Sequence, residues 1–158
     1  MYIHLIVIPM KKHTTELKGF GRIIAPVDGS DGAAKAAKQA LFLAKETKKP
    51  VIAIYVIDTP RLTEVIPPDD VSVAWEELLK KEGQKILNDI EKKGLKMGVS
   101  VKKKLLEGIP EEVIMKEAKK NDLIVMGCKG KSAVDRILMG SVCEKVTRHT
   151  TAQIMVIR

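Results

Sequence analysis

The fold is read most directly from Asp122 to Val142, DLIVMGCKGKSAVDRILMGSV. Leu123 to Met126 is a short continuous apolar run of the kind that forms a buried strand. Gly127 follows, then two residues to Gly130, then nine to Gly140-Ser141, after which apolar residues return at helical spacing. A strand, a glycine-rich loop and a helix start together present backbone N–H groups to an anion. The helix start adds partial positive charge and donors with no partner inside the helix. Glycine admits positive φ and lets a phosphate approach with no Cβ in the way. The stretch therefore reads as a cradle for nucleotide phosphates.

The remaining chain supplies a sheet to carry that loop. Ile23 to Val27 reads as the first strand, with Pro26 near its C-terminal end because proline cannot donate to a ladder. Asp28-Gly29-Ser30 is turn chemistry, and Ser30 or Asp31 can cap the next helix. Ala33, Ala36, Ala37, Ala40, Leu41 and Ala44 mark that helix as amphipathic and rich in small residues, ended by Lys48-Lys49-Pro50. Val51 to Ile57 is a second buried strand with Asp58 at its end. Thr59 to Asp70 has three prolines and no period, and reads as a loop or flap. Val71, Trp75, Leu78, Leu79, Ile86, Leu87 and Ile90 mark a second helix, stopping at Lys93-Gly94. Val99 to Leu106 is a strand whose three lysines suit a sheet edge. Gly108-Ile109-Pro110 with Glu111 and Glu112 opens a helix that runs to Lys120-Asn121. Gly140 to Thr150 is the last helix, with Val142, Cys143 and Val146 inward, and Ala152 to Ile157 is a terminal strand.

Alternation of strands and helices predicts an α/β fold, a single open parallel sheet with helices on both faces. Such sheets bind ligands beyond the C-terminal ends of their strands. Asp28, Asp58 and Gly127 all fall at strand C-terminal ends, so one rim should carry them. The 158 residues suit one domain, 45% of them hydrophobic and only 3% aromatic, so the core is aliphatic. The net charge of +8 invites a nucleic-acid reading. The lysines, however, are spread among glutamates over helix surfaces, and stacking aromatics are nearly absent. Cys128 and Cys143 have no metal spacing and no C-x-x-C partner, which favours a reducing cytoplasm. Met1 to Met10 is apolar but too short to span a bilayer, and reads as an extra strand or a loose arm.

Several motifs are excluded. Gly130-Lys131-Ser132 looks like the tail of a Walker A loop, but the first glycine would have to stand at Val125. There is no G-x-G-x-x-G turn, no H-E-x-x-H and no G-x-S-x-G, and His4, His13 and His149 are scattered. No nucleophile–base pair is evident, so turnover of a bound nucleotide should be slow or need a partner.

Gly127-x2-Gly130-x9-Gly140-Ser141 after Leu123 to Met126 resembles the ATP-binding signature of the universal stress protein family. Ile24 to Ser30, Tyr55 to Asp58 and Gly108-Ile109-Pro110 are similar to that family's other strand ends and turns. The resemblance runs from about Gly21 to the C-terminus, leaving residues 1–20 as an extension. It implies strand order 3-2-1-4-5, an adenine nucleotide alpha hydrolase-like architecture, bound ATP with Mg²⁺ or Mn²⁺ held by the phosphates, and a homodimer through the last strand. It departs at Cys128 and Lys129, where related loops often carry Ser and His. Gly127 and Gly130 would pass around the ribose and phosphates; Gly140 and Ser141 would offer N–H groups, with the Ser141 hydroxyl on a phosphate. Asp28 would accept from the adenine or ribose side, or simply satisfy its own turn. Lys131 would add charge near the phosphates, or be a solvated loop lysine. The resemblance alone singles out Val56, against the adenine, and adds Pro26, Met126 and Val142 to the ligand set. The function expected is that of a nucleotide-dependent regulatory protein of the stress response. A nucleotide-transferring enzyme or ATPase on the same fold, and a basic nucleic-acid binder, are the rivals.

Overall fold

The computed structural model describes residues 19–65, 70–129 and 139–158. The expectation for Met1 to Met10 lies outside them. The described residues form five strands with a helix or, between β2 and β3, two helices between them, beginning β1 (Arg22–Pro26), α1 (Asp31–Thr47) and β2 (Val51–Ile57). There follow α2 (Thr59–Val65), α3 (Asp70–Lys96), β3 (Val101–Glu107) and α4 (Pro110–Glu117). The chain ends with β4 (Asp122–Gly127), α5 (Ser141–His149) and β5 (Gln153–Ile157). The sheet is parallel throughout, in the order β3-β2-β1-β4-β5.

The central strands are buried on both faces because successive side chains point to opposite layers. Ile23, Ala25, Val51, Ala53, Leu123 and Val125 face α1 and α3. Ile24, Ile52, Ile54, Ile124 and Met126 pack with Ile114 of α4 and with Cys143 and Val146 of α5. The alanine stripe of α1 is buried as its spacing requires. Small side chains there let the helix sit close to β4: a Cβ on Gly127 would lie 2.6 Å from the carbonyl carbon of Gly32.

The N-terminal rim of the sheet is closed by an ion pair between adjacent strands. Arg22 and Asp122 are register partners. The guanidinium donates from Nε to Oδ1 at 2.9 Å and from Nη2 to Oδ2 at 2.5 Å. Asp122 Oδ2 also accepts the Lys119 amide at 2.8 Å. Burial pushes the Asp122 carboxyl up, but the Arg22 and Lys119 donors outweigh it and hold the group below its usual range.

Four boundaries differ from the sequence reading, each for a physical reason. Within the Thr59 to Asp70 stretch, Thr59–Val65 is helical: Asp58 Oδ1 accepts the Arg61 amide at 3.2 Å, and Pro60 stands in the first turn where its missing N–H costs nothing. Helix α3 does not stop at Gly94. That glycine is buried where a Cβ would come 2.4 Å from Val101 Cγ2, and the chain turns instead at Gly98, φ 71°. Helix α4 ends at Glu117 rather than Asn121, because Ala118 is extended and the Lys119 amide is taken by Asp122. Strand β3 starts at Val101, and at this edge its lysines do more than face water. Lys103 bonds Glu91 of α3 on one face, and Lys104 bonds Glu117 of α4 on the other.

Candidate functional site

At the C-terminal rim lies a cavity of about 770 Å³, within the ordinary range for small-molecule sites. It spans the ends of β1, β2 and β4 and the starts of α1, α4 and α5. Pro26, Asp28, Val56, Met126, Gly127, Gly140, Ser141 and Val142 all line it. The structure thus brings together eight of the ten candidates. Gly130 and Lys131 lie outside the described residues.

The Asp28 corner and the glycine stretch touch through backbone. A Cβ on Gly32 would lie 2.7 Å from the Lys129 carbonyl oxygen, and the Ser30 hydroxyl reaches the same oxygen at 3.5 Å. The closeness explains Gly127 differently from the sequence reading. Its φ is not in the positive range, and what excludes a side chain there is the first turn of α1.

Asp28 Oδ1 accepts the Ser30 amide at 3.0 Å and the Ser30 hydroxyl at 2.6 Å. Ser30 Oγ in turn accepts the Ala33 amide at 3.2 Å and caps α1. Asp28 therefore holds the turn that shapes this corner, as the plainer of its two readings has it. Asp58 caps α2 in the same way from the end of β2.

The loop that leaves β4 is pinned at both ends. The Cys128 amide donates to the Ile157 carbonyl at 2.8 Å, and the Cys128 carbonyl accepts the Gly140 amide at 2.8 Å. Gly140 therefore gives its own N–H to the fold. The donors that open α5 are the amides of Ser141, Val142 and Cys143, which have no intrahelical acceptor. Gly140, as N-cap, brings no side-chain acceptor to them. Nor has α4 a side-chain cap, and its Pro110 also lines the cavity.

Lys129 and Arg61 bring cationic side chains to the wall. The sequence reading missed Arg61, Leu62 and Trp75 as wall residues, because it took the α2 segment for a loop and Trp75 for a core marker. The signal for α2 was present in Asp58 followed by Pro60. Both cysteines are buried, and burial pushes the Cys143 thiol up to about 11. Among the described residues no group of three His, Cys, Asp or Glu could hold a metal ion. No helix among them is long and apolar enough to cross a membrane.

The sequence model of the universal stress protein family matches residues 19–158. The chain belongs to the universal stress protein family. Universal stress protein MJ0531 of Methanocaldococcus jannaschii is 40% identical over 144 residues, which cover 88% of this chain and 82% of that protein. The solved structure of protein MJ0577 is similar at 30% identity and a TM-score of 0.73, covering 87% of this chain and 95% of its own. Two more distant members share the fold. A universal stress protein in complex with cAMP is 19% identical with a TM-score of 0.64, over 89% of this chain and 98% of its own. One from Archaeoglobus fulgidus in complex with dAMP is 20% identical with a TM-score of 0.60, over 88% and 98%.

Proposed function

We propose that this universal stress protein binds ATP in the rim cavity and acts as a nucleotide-dependent regulator. The observation that carries the proposal is the start of α5, where a glycine N-cap leaves the first-turn amides to the cavity. A helix N-terminus carries about half a positive charge, and the one acidic residue of the first turn, Glu144, is paired with Arg148 further along the helix. Phosphates at Ser141 and Val142 would meet those donors, the Ser141 hydroxyl and the Lys129 ammonium. The nucleoside would then extend across β1 toward Val56. The cavity's size and its apolar floor of Pro26, Val56 and Met126 suit a purine. Other members of the fold are seen with cAMP and dAMP.

A divalent cation, Mg²⁺ or Mn²⁺, would ride on the phosphates and screen their charge. Asp28 and Asp58, the two carboxylates among the described wall residues, each hold a local turn through Oδ1, and no histidine lines the wall beside them. Turnover is accordingly slow at most, and occupancy rather than hydrolysis is the signal that a partner reads. The protein works in the cytoplasm as a homodimer, for which β5 offers the edge: among the described residues it pairs only with β4.

A mass spectrum of the small molecule released from denatured protein tests the reading. An adenine nucleotide is expected. Nucleotide-free protein that also gives no heat with ATP by calorimetry overturns it.

A further inference from the structure

The glycine stretch and the β1 turn account for one side of the cavity, and α2 and α3 make the other. Leu62 of α2 and Leu79 of α3 pack against the core, while Trp75 stands one turn further out on α3 and lines the cavity. Trp75 is the chain's only tryptophan and is 47% exposed.

The placement follows from the way α3 is seated. Gly83 lies flat on the sheet, where a Cβ would come 2.6 Å from Tyr55 and 2.7 Å from Leu105. Tyr55 is two residues from the end of β2, about 7 Å of strand. Trp75 is eight residues before Gly83, about 12 Å of helix. The crossover from β2 to β3 makes α3 run back along the sheet, so its apolar stripe overruns the strand end by about 5 Å. Leu79 still reaches the core, whereas Trp75 meets the cavity instead. Since α3 packs over β2 and β3, the ring stands across β1 from β4 and α5.

We infer that Trp75 is a binding residue for the nucleoside end of the ligand, its indole closing over the base and ribose. The inference rests on the nucleotide reading above, which puts the phosphates at α5. An indole face stacks on any purine and does not sense phosphate count. Its contribution is therefore the same for ATP and for AMP.

Full-length wild type, Trp75→Phe and Trp75→Ala are titrated with ATP and with AMP by calorimetry, and indole emission of the wild type is followed in parallel. The emission should change with the same midpoint as the heat. Trp75→Ala should weaken both ligands by one common factor, at least about fivefold for the loss of a base–aromatic stack, and Trp75→Phe by less. Should Trp75→Ala not fold, the wild-type emission and Trp75→Phe decide. Normal heat with unchanged emission and wild-type affinity in the variants overturns the inference and leaves ATP binding standing. A factor that differs between ATP and AMP puts the ring at the phosphates and also overturns it. No heat with either ligand in the wild type brings down both readings.

Discussion

The two rims of the sheet use the same residue type to opposite ends. At the N-terminal rim Asp122 is 2% exposed, paired with Arg22 and bonded to the Lys119 amide. At the C-terminal rim Asp28 and Asp58 are half-buried and spend acceptor capacity on local turns, while a helix start nearby has no side-chain cap. One rim is neutralised and shut. The other is shaped, and among the described residues no side chain caps the amides that open α5. A substitution in the closed rim should therefore move stability without binding, and one at the donors of α5 should move binding without stability.

The largest effect is expected at the closed rim. Arg22→Ala leaves a buried carboxylate without its cation and should cost about 3 kcal/mol by denaturant unfolding, at the lower end of the range for broken buried pairs because Arg22 is partly exposed. Nucleotide affinity should not change. If it falls in step with stability, the rims are coupled. The same pair sets an acid dependence. The folded pKa of Asp122 is depressed, so its stabilisation is present above the unfolded value of about 3.9 and is lost as pH falls through the lower folded value. Asp122→Asn should flatten that part of the stability profile.

Next comes the contact between the two halves of the open rim. Gly32→Ala puts a methyl group 2.7 Å from the Lys129 carbonyl oxygen. It should destabilise by about 1–3 kcal/mol, as overpacking does, and should weaken ATP because the backbone at Lys129 must shift. Unaltered melting would mean that the approach is softer than it looks.

Ser141→Ala probes the open rim from the binding side. Loss of a hydrogen bond to a charged phosphate should weaken ATP about tenfold, with the unfolding midpoint nearly unmoved, since Gly140 and not Ser141 caps α5. The smallest effect is expected at the cysteines. Cys128 and Cys143 are buried, and the Cys143 thiol titrates near 11. A disulfide reagent at pH 8 should leave the native protein almost unmodified and find both thiols after unfolding. Rapid loss of one thiol in the native state would show that the rim opens.

The alternation of elements and the rim placement were legible from strand runs and glycine turns, whereas the sheet order was legible only through the family resemblance. Helix α2 was hidden because seven residues with proline near the start carry no period, and only the cap at Asp58 betrays it. The stop assigned to Gly94 failed because a glycine needed for close helix–strand contact looks like a glycine needed for a turn. Gly127 posed the same ambiguity at the site: its neighbour is Gly32, ninety-five positions earlier, which no local spacing reveals. The Arg22–Asp122 pair was invisible for that reason too. Trp75 was read as core because its stripe is continuous, and spacing does not say where the strands beneath it end.

The lysines of β3 have a consequence for assembly. With Lys103 fastened to one helix layer and Lys104 to the other, that margin of the sheet resists strand addition. The β5 margin carries Ile154, Met155 and Ile157 half-exposed, and its strand has no lysine among the described residues. A sheet with two adhesive margins would string copies into a filament. The proposed dimer would use one such margin, and a self-complementary union of that kind closes at two with nowhere left to grow.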